Sequence, residues 1–462
     1  MYLRYLSIIS FLNLTLFQFT MVKLYKKQHI DQRTGSGLFA SQRISSSTNI
    51  IKTNHILTAL DQQTCKSHCN HCLKESFPLR RCSKCKQVRY CSEKCQKEGW
   101  LIHKLECAYL GAVPATSAVP PLIRMCALIL SSTEVRNYCS VDSLMNHDAI
   151  ESEKAREYYP FVMKGVTDLL KKSCTVEPSE VYSIYSKLIV NLFTLEDGQL
   201  RAIGSTLIPE LSKINHSCDP NCVLSFKGRS AYITAIKDIQ KGSEITISYI
   251  PLPKPFLSRK EQLITQFSFT CFCTLCTRQR EEGTDAMLLR ECPVCEEYAH
   301  PSIDFEKDDL QCPSCQSSLR KSLKMNDLVM KNIASFDSAI STRAPQDVEI
   351  INHLIDETES LILDKRWEPA LRTGLKAIVG LMDWAQNYPS TGLFLAKLGK
   401  LYLEQESTSK AEQMDNINNA VQMFDISLKC LSLALSRHHE LFVEVENLYR
   451  STQDVLRARN DI

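Results

Sequence analysis

Hydrophobic and polar positions divide the chain into stretches of different period. Between residues 30 and 60, GSGLFASQRI and TNIIKTNHIL carry β-branched residues in alternation around turn signals, a pattern for short half-buried strands. From 110 to 190 the spacing is mostly helical, with Val162, Val166, Leu169 and Leu170 recurring on one face. Strand patterning returns over 203–250 in IGSTLIP, CVLSF, AYITAI and EITISYI. The C-terminal part is helical: Phe394, Leu398, Leu401 and Tyr402 share a face, as do Val421, Phe424, Leu428, Leu431 and Leu435. The polar stretch 404–417 between them reads as a loop or frayed helix end. These helices form a tetratricopeptide-like array or an irregular bundle, since no clean repeat of about 34 residues is visible.

The 462 residues suggest about three domains, and 44% hydrophobic with 23% charged residues is ordinary for a globular protein. A net charge of +3 excludes a dominant field for nucleic acid or membrane. Cysteine changes the picture. There are 21, mostly clustered, in a chain far too long for a disulfide scaffold, and clustered CxxC pairs point to metal. Thiolate ligands require a reducing compartment, so the expected location is nucleus and cytoplasm. Residues 5–20 form an apolar run after Arg4 that resembles a secretory start. It lacks a small-residue cleavage site and is shorter than the ~20 residues of a membrane span. Residues 1–21 are therefore read as an apolar extension or misassigned start, with Met21 opening the globular part and no membrane partner.

The densest block is Cys69-x2-Cys72, Cys82-x2-Cys85, Cys91-x3-Cys95, His103-x3-Cys107: seven cysteines and one histidine, enough for two tetrahedral zinc sites. His68 and His71 are read as bystanders. Each CxxC is a knuckle aiming two sulfurs at one ion, and i, i+4 spacing places each later pair on one helix face. Further on, Cys292-Pro-Val-Cys295 and Cys312-Pro-Ser-Cys315 have the spacing of a zinc ribbon.

The block 69–107 resembles a MYND zinc finger over its whole length, including Tyr90-Cys91-Ser92 and Trp100 to His103. Asn215-His216-Ser217-Cys218-Asp219-Pro220-Asn221, then EITISY and CFCTLC, looks like the core of a SET methyltransferase with its post-SET zinc site, and GSGLFA at 35–40 resembles the opening SET motif. A MYND finger inserted between two halves of SET is the arrangement of the SET-and-MYND family. The resemblance implies an α+β multidomain protein: a β-rich SET fold split by the finger, a post-SET zinc site and a C-terminal α-helical, TPR-like domain. The corresponding divisions are 22–68 and 191–255 for SET, 69–107 for the finger, 108–190 for a helical insertion, 256–325 for the post-SET region with the CPxC knuckles, and 326–462 for the helical domain.

It also implies function: a protein-lysine N-methyltransferase using S-adenosylmethionine, with an inactive SET/MYND scaffold as the alternative. Methyl transfer to an amine is an in-line displacement that needs neutral lysine, whose ordinary pKa is ~10.4. A narrow aromatic channel desolvates the ammonium and aligns the nitrogen. Carried over position by position, Gly35, Gly37, Tyr138, Asn146, Ser212, Asn215, His216, Tyr249 and Phe269 are cofactor contacts, with the Tyr249 hydroxyl also catalytic. Phe193 and Phe267 are channel walls. In the finger, Cys69, Cys72, Cys91 and Cys95 hold one zinc and Cys82, Cys85, His103 and Cys107 the other. Cys218 joins Cys271, Cys273 and Cys276 in the post-SET site, giving three to four zinc ions in all. Implied partners are a protein substrate with a histone or non-histone lysine, and a proline-containing peptide at the finger. The block's nine Lys/Arg against four Glu leave room for a weak nucleic-acid contact. The chain is expected to act as a monomer. It departs from well-known animal members at Thr34 and Ser36, where arginine and asparagine contact the cofactor's methionine end, and at Phe267, where they carry tyrosine.

Overall fold

The computed structural model describes residues 24–31, 35–54, 57–114, 119–145, 153–171, 174–292, 294–307, 309–319 and 347–460. Residues 1–21, Thr34 and Asn146 lie outside these. Three small sheets make the β-rich centre. In the first, β1 (Tyr25–Asp31) pairs antiparallel with β2 (Gly35–Ala40). The second comprises β3 (Asn49–Asn54) with a later hairpin, and the third β4 (Leu57–Leu60) with another.

The chain then leaves the sheets for the cysteine block. Its hairpin β5 (Arg80–Arg81) and β6 (Arg89–Tyr90) leads into α1 (Glu93–Leu110), capped by Ser92, whose side chain accepts from the Cys95 amide. Next come α2 (Pro121–Leu130), α3 (Thr133–Tyr138), α4 (Glu153–Leu170) and α5 (Pro178–Asn191). Helix α2, PLIRMCALIL, is apolar almost all round and is correspondingly buried from Ile123 to Ile129. It packs against α4 and α5, and one continuous core joins Cys82, Cys85 and Cys107 of the finger to Met125, Val166 and Leu188 of these helices.

The strands resume with β7 (Leu192–Glu196), β8 (Ala202–Leu207), β9 (Asn215–His216), β10 (Cys222–Lys227), β11 (Ser230–Ala235) and β12 (Glu244–Ile247). The sheet orders are β1-β2-β12-β9, β10-β11-β3 and β4-β8-β7. Strand β12 is the hinge of the arrangement. It runs antiparallel to β2 and parallel to β9, setting Thr246 opposite Asn215 and Ile247 opposite His216. Motifs about 180 residues apart in sequence thereby become neighbours, around a core of Leu38, Ile214, Ile233, Ile245 and Ile247.

Helices α6 (Phe256–Phe267) and α7 (Thr274–Glu282) follow, then two short hairpins, β13 (Arg290–Glu291) with β14 (Tyr298–Ala299) and β15 (Ser302–Asp304) with β16 (Asp309–Gln311). The helical region contains α8 (Val348–Leu363), α9 (Trp367–Ala385), α10 (Pro389–Leu403), α11 (Lys410–Ala434) and α12 (Glu440–Asn460), each packed on the next. Close crossings need missing side chains: a Cβ at Gly399 would lie 2.6 Å from the Phe424 ring. The apolar faces read from sequence point inward, with Phe394, Leu398 and Leu401 buried in one helix and Phe424 and Leu431 in the next. One expectation needs correction: residues 410–417 are helical. Ser409 caps α11 by accepting from the Glu412 amide, and Glu412 accepts from the Thr408 amide, so a capping device starts the helix inside the polar stretch. Among the described residues no helix is long and apolar enough to cross a membrane.

Candidate functional site

The region where β9, β12 and the end of α5 meet borders an open cleft enclosing ≈ 820 Å³ of empty space, including the part open to solvent. Its lining includes Ser36, Met145, Asn191, Ser212, Asn215, Tyr249, Phe267 and Phe269, with Lys27 and Lys213 adding positive charge. Five residues expected from sequence therefore share one wall: Ser212, Asn215, Tyr249, Phe267 and Phe269. His216 lies just behind, its ring 5.4 Å from Tyr249 and 5.9 Å from Phe269. The Tyr249 and Phe267 rings are 5.2 Å apart, completing an aromatic cluster.

The hydrogen bonds fix this wall. The Tyr249 amide donates to His216 Nδ1 at 3.0 Å, locking the imidazole against the end of β12. Burial lowers the His216 pKa to about 4, so the ring is neutral with its proton on Nε2. The Tyr249 hydroxyl donates to the Ile214 carbonyl at 2.6 Å, and burial pushes its pKa upward, keeping the phenol protonated. Ser212 donates to the Asn191 carbonyl at 3.3 Å.

Other expected residues fall elsewhere. Tyr138 does not line the cleft. It is 41% exposed at the last position of α3, and its charged neighbour is Arg229. Phe193 is half-buried against the core that also carries Tyr249, paired across β7–β8 with Thr206, and is likewise outside the cleft lining. Gly35 begins β2. Gly37 is constrained by protein: a Cβ there would lie 2.3 Å from Glu244 Oε1 and 2.9 Å from Asn215 Nδ2. Asn191 and Glu244 were not anticipated. Asn191 sits at the last turn of α5, donating to the Met145 carbonyl at 2.9 Å. Burial raises the Glu244 pKa, with the Asn215 hydrogen bond opposing it.

All sixteen expected metal ligands converge in four groups: Cys69, Cys72, Cys91 and Cys95; Cys82, Cys85, His103 and Cys107; Cys218, Cys271, Cys273 and Cys276; Cys292, Cys295, Cys312 and Cys315. Within each, the ligand atoms lie within 4.8 Å of one another. A tetrahedral Zn–thiolate cage has edges of about 3.8 Å. Here Cys72 and Cys91 are 3.7 Å apart, Cys82 and Cys107 3.8 Å, Cys218 and Cys276 3.5 Å, and Cys295 and Cys312 3.5 Å. The residues present thus fit zinc. The four knuckles also share a backbone turn. The fourth residue after the first cysteine returns its amide to that cysteine's carbonyl: Leu73 to Cys69, Lys86 to Cys82, Glu296 to Cys292 and Gln316 to Cys312. All four of these residues have positive φ, between 60° and 64°. The post-SET group ties the turn after β9 to the segment after α6; Phe267, the last residue of α6, and Phe269 join the wall just before that segment's cysteines.

The second finger group has a buried support that sequence spacing did not reveal. His103 Nδ1 faces Glu106 Oε1 at 3.1 Å, and Arg124 from α2 bonds Glu106 through Nε at 2.7 Å and Nη2 at 2.5 Å. Orientation of a ligating histidine by a carboxylate is a recurrent device at zinc sites.

The SET domain family model matches residues 35–250. N-lysine methyltransferase SMYD2 of Gallus gallus is 27% identical over 409 residues, covering 85% of this chain and 91% of that protein. SMYD2-A of Xenopus laevis is 26% identical over 359 residues, 74% of this chain and 81% of the relative. Among solved structures, Rubisco LSMT bound to AdoMet aligns over 97% of this chain and 92% of its own at 10% identity, with a TM-score of 0.29.

Proposed function

We propose that the chain is a protein-lysine methyltransferase of the SET and MYND kind, as its match to the SET model and to SMYD2 relatives supports, and that it methylates histone or non-histone lysines with S-adenosylmethionine as donor. The observation that carries this reading is the cleft, where Asn215 meets the Tyr249–Phe267–Phe269 wall behind which the post-SET cysteines gather. The donor, when bound, supplies an activated methyl group, and the side chains supply position. Ser36, Ser212 and Asn215 offer polar contacts along the cleft. The aromatic wall excludes water, which disfavours a charged lysine and promotes its neutral, nucleophilic form. Because the Tyr249 hydrogen is committed to Ile214, the hydroxyl turns its lone pairs toward an incoming amine and orients it. The four cysteine-rich groups would hold zinc as structural cross-links, the post-SET one holding Phe267 and Phe269 in place.

Phe267 offers no hydroxyl to restrain a methylated amine, so the reaction proceeds to di- or trimethyl-lysine. Phe267→Tyr shifts the products toward monomethyl-lysine by about one hydrogen bond's worth, ~0.5–1.5 kcal/mol. The finger, with its basic face, binds a proline-containing peptide and touches nucleic acid weakly. The protein works as a monomer in nucleus and cytoplasm. The deciding experiment is methylation of a proteome extract with labelled donor, read by mass spectrometry. Wild type labels lysines. Tyr249→Phe reduces turnover by at least about tenfold with donor affinity nearly intact, since the hydroxyl acts at the reacting centre. Absence of lysine labelling by folded, zinc-loaded wild type defeats the reading.

A further inference from the structure

The largest fully buried side chain among the described residues is a charged one: Arg259, one turn into α6, is 0% exposed. Its fork is held from two sides. Nη1 donates to the Lys254 carbonyl and faces Met287 Sδ at 3.4 Å, and Nη2 donates to Gln279 Oε1 of α7. Gln279 in turn donates through Nε2 to the buried Asp285 at 2.9 Å, and Asp285 accepts from the Phe256 amide at 2.7 Å, where α6 begins. Asp285 thus reaches Arg259 through Gln279, and among the described residues no carboxylate pairs with the guanidinium directly. A guanidinium taken out of water without a counter-charge is costly. What Nη2 does face is a sulfur, Cys276 Sγ, at 3.9 Å.

Each of the four post-SET sulfurs faces a donor. The Cys273 amide donates to Cys271 Sγ and the Cys218 amide to Cys273 Sγ, both at 3.4 Å. His216 Nε2 donates to Cys218 Sγ at 3.2 Å, and Arg259 serves Cys276. The first three donors are neutral. Four thiolates outweigh one divalent cation, so the zinc-loaded cage is an anion, and three of its four ligands are buried. We infer that Arg259 is a positioning residue that serves as the buried counter-charge of the post-SET zinc cage, pinned by the Gln279–Asp285 relay so that its charge restrains the reactivity of the thiolates. The inference rests on the reading of this group as a zinc site and deepens it. Spacing supplies the ligands, whereas the charge balance comes from α6, whose last residue, Phe267, lines the cleft. A guanidinium stays charged in proteins, so the compensation is permanent. The other nearby arginine is engaged differently: Arg280 donates to the Cys271 carbonyl at 2.9 Å and lies over the rings of Phe272 and Phe256.

The test treats the full-length, zinc-loaded protein with a chelator and iodoacetamide, and follows each ligand cysteine by mass spectrometry. Arg259→Met and Arg259→Gln remove the charge; the second keeps a donor for the Lys254 carbonyl and serves where the first is insoluble. In either, Cys218, Cys271, Cys273 and Cys276 should be alkylated about tenfold faster, the effect of one lost charge-assisted hydrogen bond, while the finger and CPxC cysteines keep their wild-type rates. Arg259→Lys, which keeps the charge without the fork, should stay within a factor of about three of wild type. Cobalt substitution adds a readout that lost packing would not move. The difference spectrum against wild type should show the sulfur-to-cobalt charge-transfer band at longer wavelength in the neutral variants and unmoved in Arg259→Lys. Wild-type rates in the neutral variants, an acceleration shared by all four cysteine groups, or a lysine variant as reactive as the neutral ones each overturn the inference. A wild type that holds no zinc at these four cysteines would instead defeat the reading of the group as a metal site.

Discussion

The finger and the CPxC ribbon are built from the same local knuckle, yet they sit in opposite surroundings. In the finger's second group all four ligands are buried, and His103 is backed by the Glu106–Arg124 pair. Its cysteines belong to the same core as α2, α4 and α5. In the ribbon, Cys295 and Cys315 are exposed, and the nearby support is the Ser317 hydroxyl, 3.0 Å from Cys315 Sγ and 3.3 Å from Cys292 Sγ. CxxC spacing fixes a turn and a ligand pair. What the metal stabilises depends on what packs behind it: in the finger a domain-sized core, in the ribbon two short hairpins.

The largest effect therefore belongs to the finger. Removing a ligand with Cys82→Ser or His103→Ala should lose that zinc and with it the packing of α1 on the insertion helices. A structural zinc is worth about 10–16 kcal/mol in isolated fingers, comparable with the whole stability of a domain, ~5–15 kcal/mol. The expected result is insoluble or molten protein, read by near-UV circular dichroism and solubility. A soluble variant with native melting and one fewer zinc would erase the contrast with the ribbon.

The second effect isolates the buried support. Arg124→Met leaves the buried Glu106 carboxylate with the His103 ring but without its arginine counter-charge, at a cost of about 3–5 kcal/mol by analogy with half-broken buried pairs. Glu106→Gln spares that cost but weakens the orientation of His103, and zinc affinity should fall by about 10–100-fold. Denaturant unfolding reads the first and chelator competition the second. A loss below ~1 kcal/mol for Arg124→Met would mean that the finger's burial does not depend on this pair.

These two regions also show what sequence could and could not reveal. The sixteen ligands were legible because spacing along the chain fixes knuckle geometry locally. The strands were legible from alternation, and the motifs at 215–221 and 244–249 pointed to Asn215 and Tyr249, which the fold brings to one cleft. Arg124 and Glu106 were not, because one lies on α2 and the other on α1, and a lone arginine in PLIRMCALIL gives no sign of its partner. Asn191 and Glu244 were missed for a related reason: their importance comes from the approach of α5, β2, β9 and β12, and periodicity does not encode such crossings. Tyr138, expected at the site, lies outside the cleft lining on a six-residue helix whose facing the sequence did not fix.

The smallest expected effect sharpens the other side of the comparison. Cys312→Ser should remove one zinc and lower the melting temperature by only a few degrees, because the ribbon encloses little core of its own and half of its ligands are exposed. Among full-length proteins treated with chelator, the ribbon zinc should also be the first to leave, since its exposed sulfurs are open to competitors. Turnover should change by less than about threefold, as Tyr249, Phe267 and Phe269 are held by a separate cysteine group. There is one path by which this could fail. Just upstream of the ribbon's cysteines, the Met287 carbonyl accepts from the Val348 amide and the Leu289 amide donates to Asp347, so the start of α8 leans on this region. A large fall in turnover for Cys312→Ser, with the other three zinc ions retained, would show that the ribbon acts on the cleft through the seating of the helical domain, and the contrast between keystone and local brace would have to be redrawn.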